Sequence, residues 1–130
     1  MSRKILIVDD EAHILHVLSL KLRNAGYDVI SAVDGEEALD LCLAERPDLV
    51  ITDYQMPIKT GLELSRELHA HEATENIPIV MITAREFDLA QEELTKAGIA
   101  AILAKPFGPR EVLGKVQALL GDPQPAPPSA

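Results

Sequence analysis

Four stretches of the chain place a polar residue that could do chemistry directly after an apolar run. "KILIVDDE" reaches Asp9 and Asp10, "LVITDYQMP" reaches Asp53, "IPIVMITA" reaches Thr83, and "AAILAKPF" reaches Lys105. A carboxylate at the end of a buried strand loses solvation, so it is normally tolerated where a cation, hydrogen bonds or a reaction use it. These residue types and positions therefore predict a site assembled from strand ends.

Three neighbouring carboxylates predict a metal-binding site in which one carboxylate could act as a nucleophile. They repel one another and are best stabilised by a divalent cation that prefers hard oxygen ligands, for which Mg²⁺ is the natural candidate. The main-chain carbonyl of Gln55, just after Asp53, could add another oxygen ligand to those of Asp9 and Asp10. With the negative charge partly neutralised, Asp53 is a candidate nucleophile toward a phosphoryl group. Lys105 and Thr83 would supply a cation and a hydroxyl donor for the phosphoryl oxygens.

Each of these residues also has an ordinary structural interpretation. Asp9, Asp10 and Glu11 could form the cap and the acidic first turn of a helix. Asp53 could begin a turn, and Lys105 could be a salt-bridge partner. The presence of all five polar groups at strand ends favours a shared site over five separate explanations.

The elements that must position these residues alternate along the whole chain. Apolar runs predict strands over 4–8, 28–32, 49–52, 79–82 and 101–104, and helical periodicity predicts helices over 12–25, 36–45, 61–71, 88–97 and 109–120. Five such repeats with nearly continuous apolar strands predict a doubly wound α/β fold, a parallel sheet with helices on both faces. Ligands in such folds bind beyond the carboxyl ends of the strands, so the candidate residues should converge there.

Length and charge limit the function classes. The 130 residues fit one domain, predicted over 1–121, and the Pro-rich end 122–130 reads as a flexible tail or the start of a linker. Twelve Lys and Arg against 21 Asp and Glu give a net charge of −9, which argues against direct nucleic-acid binding. The first apolar run is too short for a signal peptide, and no later run reaches the ~18 apolar residues of a membrane span. We expect a cytoplasmic protein without a membrane partner.

The histidines and the cysteine are weaker candidates. His13 and His16 lie one helical turn apart, and His69 and His71 close another predicted helix, so a metal or phosphorelay role is one interpretation of them. Without a third ligand at a fitting distance, the surface of a helix is the better interpretation. Cys42 falls on the apolar side of its predicted helix and is expected to be a small buried hydrophobic residue.

Taken together, the motifs resemble the receiver domains of bacterial two-component response regulators. The resemblance covers residues 3–120. Its markers are "VDDE" with Asp9 and Asp10, D-x-x-M-P-x-x-x-G from Asp53 to Gly61, "DGEEAL" from Asp34, "TA" at Thr83, and "KPF" from Lys105.

The resemblance implies a flavodoxin-like sheet of five strands in the order 2-1-3-4-5 with five helices, similar to the single-domain chemotaxis regulators. It implies that Asp53 accepts a phosphoryl group from a sensor histidine kinase or a histidine phosphotransfer protein. Mg²⁺ would be bound by Asp10, Asp53 and the Gln55 carbonyl, with Asp9 acting through a water. Thr83 would close on the phosphoryl group and Lys105 would pair with it.

The same resemblance implies that the phosphoryl group switches a protein-interaction surface toward a downstream target or an output domain. The chain would not be an enzyme beyond phosphotransfer to Asp53 and autodephosphorylation there. One departure concerns the residue three positions before the lysine, which is usually aromatic in receivers and here is Ile102. Its small, stiff side chain predicts a shallower response than the usual aromatic residue would give.

Other functions compete with this interpretation. A haloacid-dehalogenase-like phosphatase also uses a strand-end Asp, Mg²⁺, Thr and Lys, but it has a second acid two residues after the nucleophile, where this chain has Gln55. A non-phosphorylated interaction module with a receiver fold would not need the full set of acids, Thr83 and Lys105. The chain could act alone or could be a receiver cut from a longer regulator, and a stand-alone protein is the favoured interpretation.

Overall fold

The computed structural model describes residues 3–56, 58–83, 97–105 and 107–120. The strands are β1 (Lys4–Val8), β2 (Asp28–Ala32), β3 (Leu49–Asp53), β4 (Ile79–Thr83) and β5 (Ile99–Ala104). The helices in the described ranges are α1 (Ala12–Asn24), α2 (Gly35–Glu45), α3 (Gly61–Ala70) and α4 (Pro109–Leu120). The predicted helix over 88–97 lies outside the described residues apart from Ala97, as does the predicted tail over 122–130.

The five strands form one parallel sheet in the order β2-β1-β3-β4-β5, which confirms the predicted doubly wound fold and strand order. The chain moves from β1 outward to β2, crosses back to β3, and then adds β4 and β5 on the other side. The strand order therefore reverses between β1 and β3, which is where a ligand site is expected in this class of fold.

Apolar residues cover both faces of the sheet. On one face, Ile7 and Ile51 pack with Leu22 of α1 and Val116 of α4. On the other face, the core is formed by α2, α3 and the alternate strand residues: Leu6, Val8, Val50, Ala38, Cys42, Leu64 and Leu68. Cys42 is fully buried, and burial raises the pKa of its thiol to about 12, as expected for a cysteine that serves as a core residue.

Two strands extend one residue past their apolar runs. β3 ends at Asp53 and β4 at Thr83, not at the apolar or uncharged residues before them. The ladder continues because the N–H of Tyr54 donates to the carbonyl of Ile82 at 2.9 Å, and the N–H of Lys105 donates to that of Thr83 at 3.0 Å. Main-chain hydrogen bonding does not depend on side-chain polarity, so hydrophobic pattern alone ends these strands too early.

β5 begins at Ile99, two residues before the predicted start. Ile79 pairs with Ile99, while Val80 already pairs with Ala101, so the register shifts by one residue at this point. Such a β-bulge leaves an extra residue, here the exposed Ala100. A small residue in an irregular register gives no period-two signal, which is why the start of this strand was missed.

Within the described residues, no helix combines the length and the apolar character needed to cross a lipid bilayer.

Candidate functional site

Strand register brings the acidic residues together. Ile7 of β1 pairs with Ile51 of β3, so Asp9 and Asp53 occupy equivalent positions two residues further along each strand. Because alternate side chains share a face, both carboxylates lie on the sheet face that α1 and α4 cover. The N–H of Asp9 donates to the carbonyl of Ala32 at 3.1 Å, which extends the β1–β2 ladder to this residue.

Asp9, Asp10 and Asp53 form an acidic cluster at this sheet edge. One carboxylate oxygen from each lies within 4.8 Å of the others. Asp9 is 2% exposed and Asp53 is 5% exposed, whereas Asp10 is open to solvent. Two buried carboxylates beside a third are an unstable arrangement on their own, so the cluster calls for a cation.

Lys105 provides one cation. Its Nζ lies 3.2 Å from Oδ1 of Asp53. Burial lowers the pKa of Lys105, but the hydrogen bond and the charge of Asp53 outweigh that effect, so the net pKa is raised and the ammonium form is held more firmly. A single Lys does not balance three carboxylates.

The pKa values of the buried acids show this imbalance. Burial raises the pKa of Asp9 from 3.8 to about 6; the N–H of Glu11 opposes the rise, and the charge of Asp53 adds to it. Burial also raises the pKa of Asp53, against the opposing effect of Lys105 and with a further rise from the charge of Asp10. Ionising both acids in the same small volume therefore costs free energy unless more positive charge is present.

The donor set fits Mg²⁺. Carboxylate oxygens from three residues, two of them buried and crowded, are hard ligands whose mutual repulsion a divalent cation would relieve. Gln55 follows in the exposed turn two residues beyond Asp53, and its main-chain carbonyl stays a predicted ligand.

Thr83 lies on the neighbouring strand. It is 3% exposed, and it follows Ile82, the residue of β4 that pairs with Asp53. Its own carbonyl accepts the N–H of Lys105 at 3.0 Å. Thr83 therefore ends β4 one residue beyond the level of Asp53 and is tied through the main chain to the residue that contacts the carboxylate.

The β3–α3 loop is fixed closely behind Asp53. The N–H of Gly61 donates to the carbonyl of Tyr54 at 2.8 Å, and a Cβ at position 61 would lie 2.4 Å from the carbonyl oxygen of Asp53. The helix that follows starts at a capping box, in which the side chains of Thr60 and Glu63 each accept the other residue's N–H. The loop after Asp53 is therefore held at both ends.

Sequence reasoning missed two of the contacts that shape the site. The N–H of Glu11 donates to Oδ1 of Asp9 at 2.9 Å and orients that carboxylate. In the sequence, Gly61 is only the last residue of a motif, whereas the structure shows that the close approach to Asp53 requires a glycine there. No side-chain chemistry signals either role, because one is a main-chain donor and the other is the absence of a side chain.

All four histidines are exposed, at positions 13, 16, 69 and 71. Among the residues that the structure describes, the group able to hold a metal ion is the acidic cluster, and no histidine belongs to it. This agrees with the prediction of helix-surface residues for His13, His16 and His69, whereas His71 is exposed just past the end of α3.

Comparison with known proteins finds a matching family and a related regulatory protein. The response regulator receiver domain family matches residues 5–117. The alkaline phosphatase synthesis transcriptional regulatory protein PhoP of Bacillus subtilis is 39% identical over all 130 residues, which correspond to 53% of PhoP. The chain thus spans about half the length of this curated relative.

Solved structures agree with the sequence match. The chemotaxis response regulator CheY4 of Vibrio cholerae superposes with a TM-score of 0.86 at 34% identity, covering 92% of this chain and 100% of CheY4. The receiver domain of the sensor histidine kinase PA1611 of Pseudomonas aeruginosa, with a magnesium ion coordinated in its active site cleft, gives a TM-score of 0.83 at 30% identity, covering 93% and 99%. With its motifs, strand order and acidic edge all in place, the chain belongs to the response regulator receiver domain family of two-component signalling.

Proposed function

We propose that Asp53 is the residue that accepts the phosphoryl group, from a sensor histidine kinase or a histidine phosphotransfer protein. The observation that supports this best is the 3.2 Å contact between Lys105 and Asp53, a buried carboxylate that also belongs to the acidic cluster. Asp53 alone among the three acids combines a strand-end position, burial and a direct lysine contact.

Asp9, Asp10, Asp53 and the carbonyl of Gln55 are the residues that would hold Mg²⁺. The ion, when bound, neutralises the acids so that an anionic phosphoryl group can approach them. The magnesium found in the PA1611 receiver supports this assignment by analogy. Asp9 is oriented for the role by the N–H of Glu11, at 2.9 Å.

The remaining steps belong to protein side chains. Oδ of Asp53 attacks phosphorus, the bond from phosphorus to the donor breaks, and an acyl phosphate forms on Asp53. Lys105 then transfers its ion pair from the carboxylate to a phosphoryl oxygen, and the hydroxyl of Thr83 donates to another. Hydrolysis of the acyl phosphate returns the starting state, so the chemistry is confined to the protein's own Asp53.

The output of phosphorylation is a change in a protein-interaction surface. Movement of Thr83 and Lys105 toward a phosphoryl group would pull on β4 and β5 together, because the N–H of Lys105 is hydrogen-bonded to Thr83. We assign the receiver to 1–121, with 122–130 as a tail or linker, and the reader of the surface to a downstream target protein or an output domain. A cytoplasmic location is part of this proposal.

The experiment is intact-protein mass spectrometry after incubation with acetyl phosphate and Mg²⁺. We expect one added phosphoryl group in the wild type and in Asp40→Asn, a control at an exposed acid of α2. We expect none in Asp53→Asn or in EDTA. A mass gain that survives Asp53→Asn or forms equally in EDTA would contradict the assignment.

A further inference from the structure

A cavity of about 480 Å³ lies beside the site, between the start of α1 and the start of α4. Its walls are mostly apolar, from Ile14, Val17, Phe107 and Pro109, and Glu11, His13 and Lys105 complete the lining. The exposed side chains of Glu11 and His13 place its mouth at the solvent. Cavities of about 300 to 1,000 Å³ with apolar walls and a few polar groups commonly bind small organic molecules.

The cavity adjoins the acidic cluster, because two of its lining residues contact members of that cluster. Lys105 lines the cavity and contacts Oδ1 of Asp53 at 3.2 Å. Glu11 lines it as well, and its N–H donates to Asp9 at 2.9 Å. A molecule whose phosphoryl group lies at Asp53 and Lys105 therefore has an apolar space directly alongside for the rest of its structure.

We propose that this cavity holds the acyl group of a small-molecule phosphodonor, and that the site prefers acyl phosphates with an acyl group of about four carbons, such as butyryl phosphate, to acetyl phosphate. This inference rests on the proposed role of Asp53. The ammonium of Lys105 attracts the phosphoryl group, and Ile14, Val17 and Phe107 contact the chain. An acetyl group offers this space a single methyl group, whereas a butyryl group adds two methylenes.

Transfer of the phosphoryl group from the acyl phosphate to Asp53 requires no proton transfer. Oδ of Asp53 forms a bond to phosphorus, the bond from phosphorus to the acyl oxygen breaks, and the acyl group leaves as a carboxylate with the electron pair. Acetate and butyrate are leaving groups of nearly equal basicity. A rate difference between acetyl and butyryl phosphate therefore reports binding of the chain rather than reactivity of the bond.

The test is the rate constant for Asp53 phosphorylation by butyryl phosphate divided by that for acetyl phosphate, at subsaturating donor with Mg²⁺. Burial of each methylene strengthens binding about fourfold, so partial burial of two predicts a ratio of about ten in the wild type. Because both rates come from the same preparation, the ratio is insensitive to the fraction of folded protein.

Val17→Phe and Leu20→Phe form a matched pair on α1. Val17 lines the cavity and lies outside the core clusters, so a phenyl group there fills the space and should bring the ratio to about one. Leu20 is 53% exposed and away from the cavity lining, so its substitution should leave the ratio at the wild-type value. Val17→Thr keeps the shape but adds a hydroxyl, and should reduce the ratio partway.

The outcomes separate the two proposals. Equal rates with the two donors in the wild type, or a high ratio that persists in Val17→Phe, would overturn the cavity assignment while leaving Asp53 as phosphoacceptor. No reaction with either donor would overturn the proposed function and this inference together. A ratio near ten that is lost only in the cavity variants supports the assignment.

Discussion

The ammonium nitrogen of Lys105 lies 3.2 Å from Oδ1 of Asp53, and the main-chain N–H of the same lysine is bound to the carbonyl of Thr83. One residue thus joins the candidate phosphoacceptor to the end of the neighbouring strand. The residue that contacts the Asp53 carboxylate therefore also follows β5 directly and is hydrogen-bonded to the end of β4.

Lys105→Gln should slow phosphorylation of Asp53 by acetyl phosphate about 10- to 100-fold, because a charge that stabilises the transferring phosphoryl oxygens is lost. Lys115→Gln, at an exposed position of α4, is the matched control and should react at the wild-type rate. The measurement is the initial rate by mass spectrometry. A Lys105→Gln rate equal to that of the control would show that the ion pair is structural only.

Asp9 should make the metal-free protein less stable as pH rises from about 4 to above 6. The folded-state pKa of Asp9 is about 6 against 3.8 for an ordinary Asp, so in this range the folded state binds more protons than the unfolded state. Its stabilising contribution is complete below 3.8 and is lost as pH passes 6. Asp53, whose pKa is also raised, acts in the same direction.

The measurement is the free energy of unfolding by urea in EDTA at a series of pH values. Asp9→Asn should flatten the curve and be more stable than the wild type at pH 7 by about 1 to 3 kcal/mol, while Asp40→Asn should follow the wild type. Mg²⁺ should restore stability at neutral pH in the wild type but less in Asp9→Asn. If Asp9→Asn leaves the pH dependence of the unfolding free energy unchanged, Asp9 is not its origin.

Gly61→Ala should destabilise the fold by about 2 kcal/mol or more, because the new Cβ would meet the Asp53 carbonyl oxygen and must displace main chain. It should also slow phosphorylation, since Asp53 shifts with its carbonyl. Gly114→Ala is the control: a Cβ there meets nothing within 4 Å, and in a helix interior the change should stabilise by about 0.5 to 1 kcal/mol. The measurement is the free energy of unfolding by urea for both variants. Equal changes in that free energy would show that the contact with the Asp53 carbonyl does not restrict position 61.

Thr83→Ala should weaken the conformational response to a phosphoryl group more than it slows phosphorylation, because the hydroxyl reads the group rather than forming the bond. Thr83→Ser keeps the hydroxyl and should restore the response. The measurement is the set of amide chemical-shift changes on addition of beryllofluoride, a stable phosphoryl mimic, with Mg²⁺. A full wild-type pattern in the alanine variant would show that Thr83 is not the switch.

Much of the fold could be predicted from the sequence, because it follows from local chemistry. The five strands and the described helices lie within two residues of where apolar periodicity placed them, and the buried Cys42 and exposed histidines follow the same pattern. The parallel arrangement follows from the repeated alternation of strands and helices. The strand order came from the family resemblance, since periodicity does not say which strands are neighbours.

The candidate site was predictable in composition but not in geometry. That Asp9, Asp10, Asp53 and Lys105 would meet followed from strand ends sharing one edge of a parallel sheet. Which carboxylates are buried, and which of them contacts Lys105, depended on side-chain face and on the helices that cover it. The sequence pattern determines which side chains alternate along a strand, but it does not determine how deeply the helices bury each of them.

Only the tertiary structure determined the contacts between segments that are distant in the chain and have no chemical signature of their own. The approach of Gly61 to the Asp53 carbonyl brings the start of α3 back against the end of β3. The cavity beside Lys105 is lined by Val17 of α1 together with Phe107 and Pro109 near the start of α4, which are far apart in the sequence. Periodicity assigns each of these residues to a face of its own element. A cavity between two elements depends on how those elements pack against each other, which is decided only when the whole core is assembled.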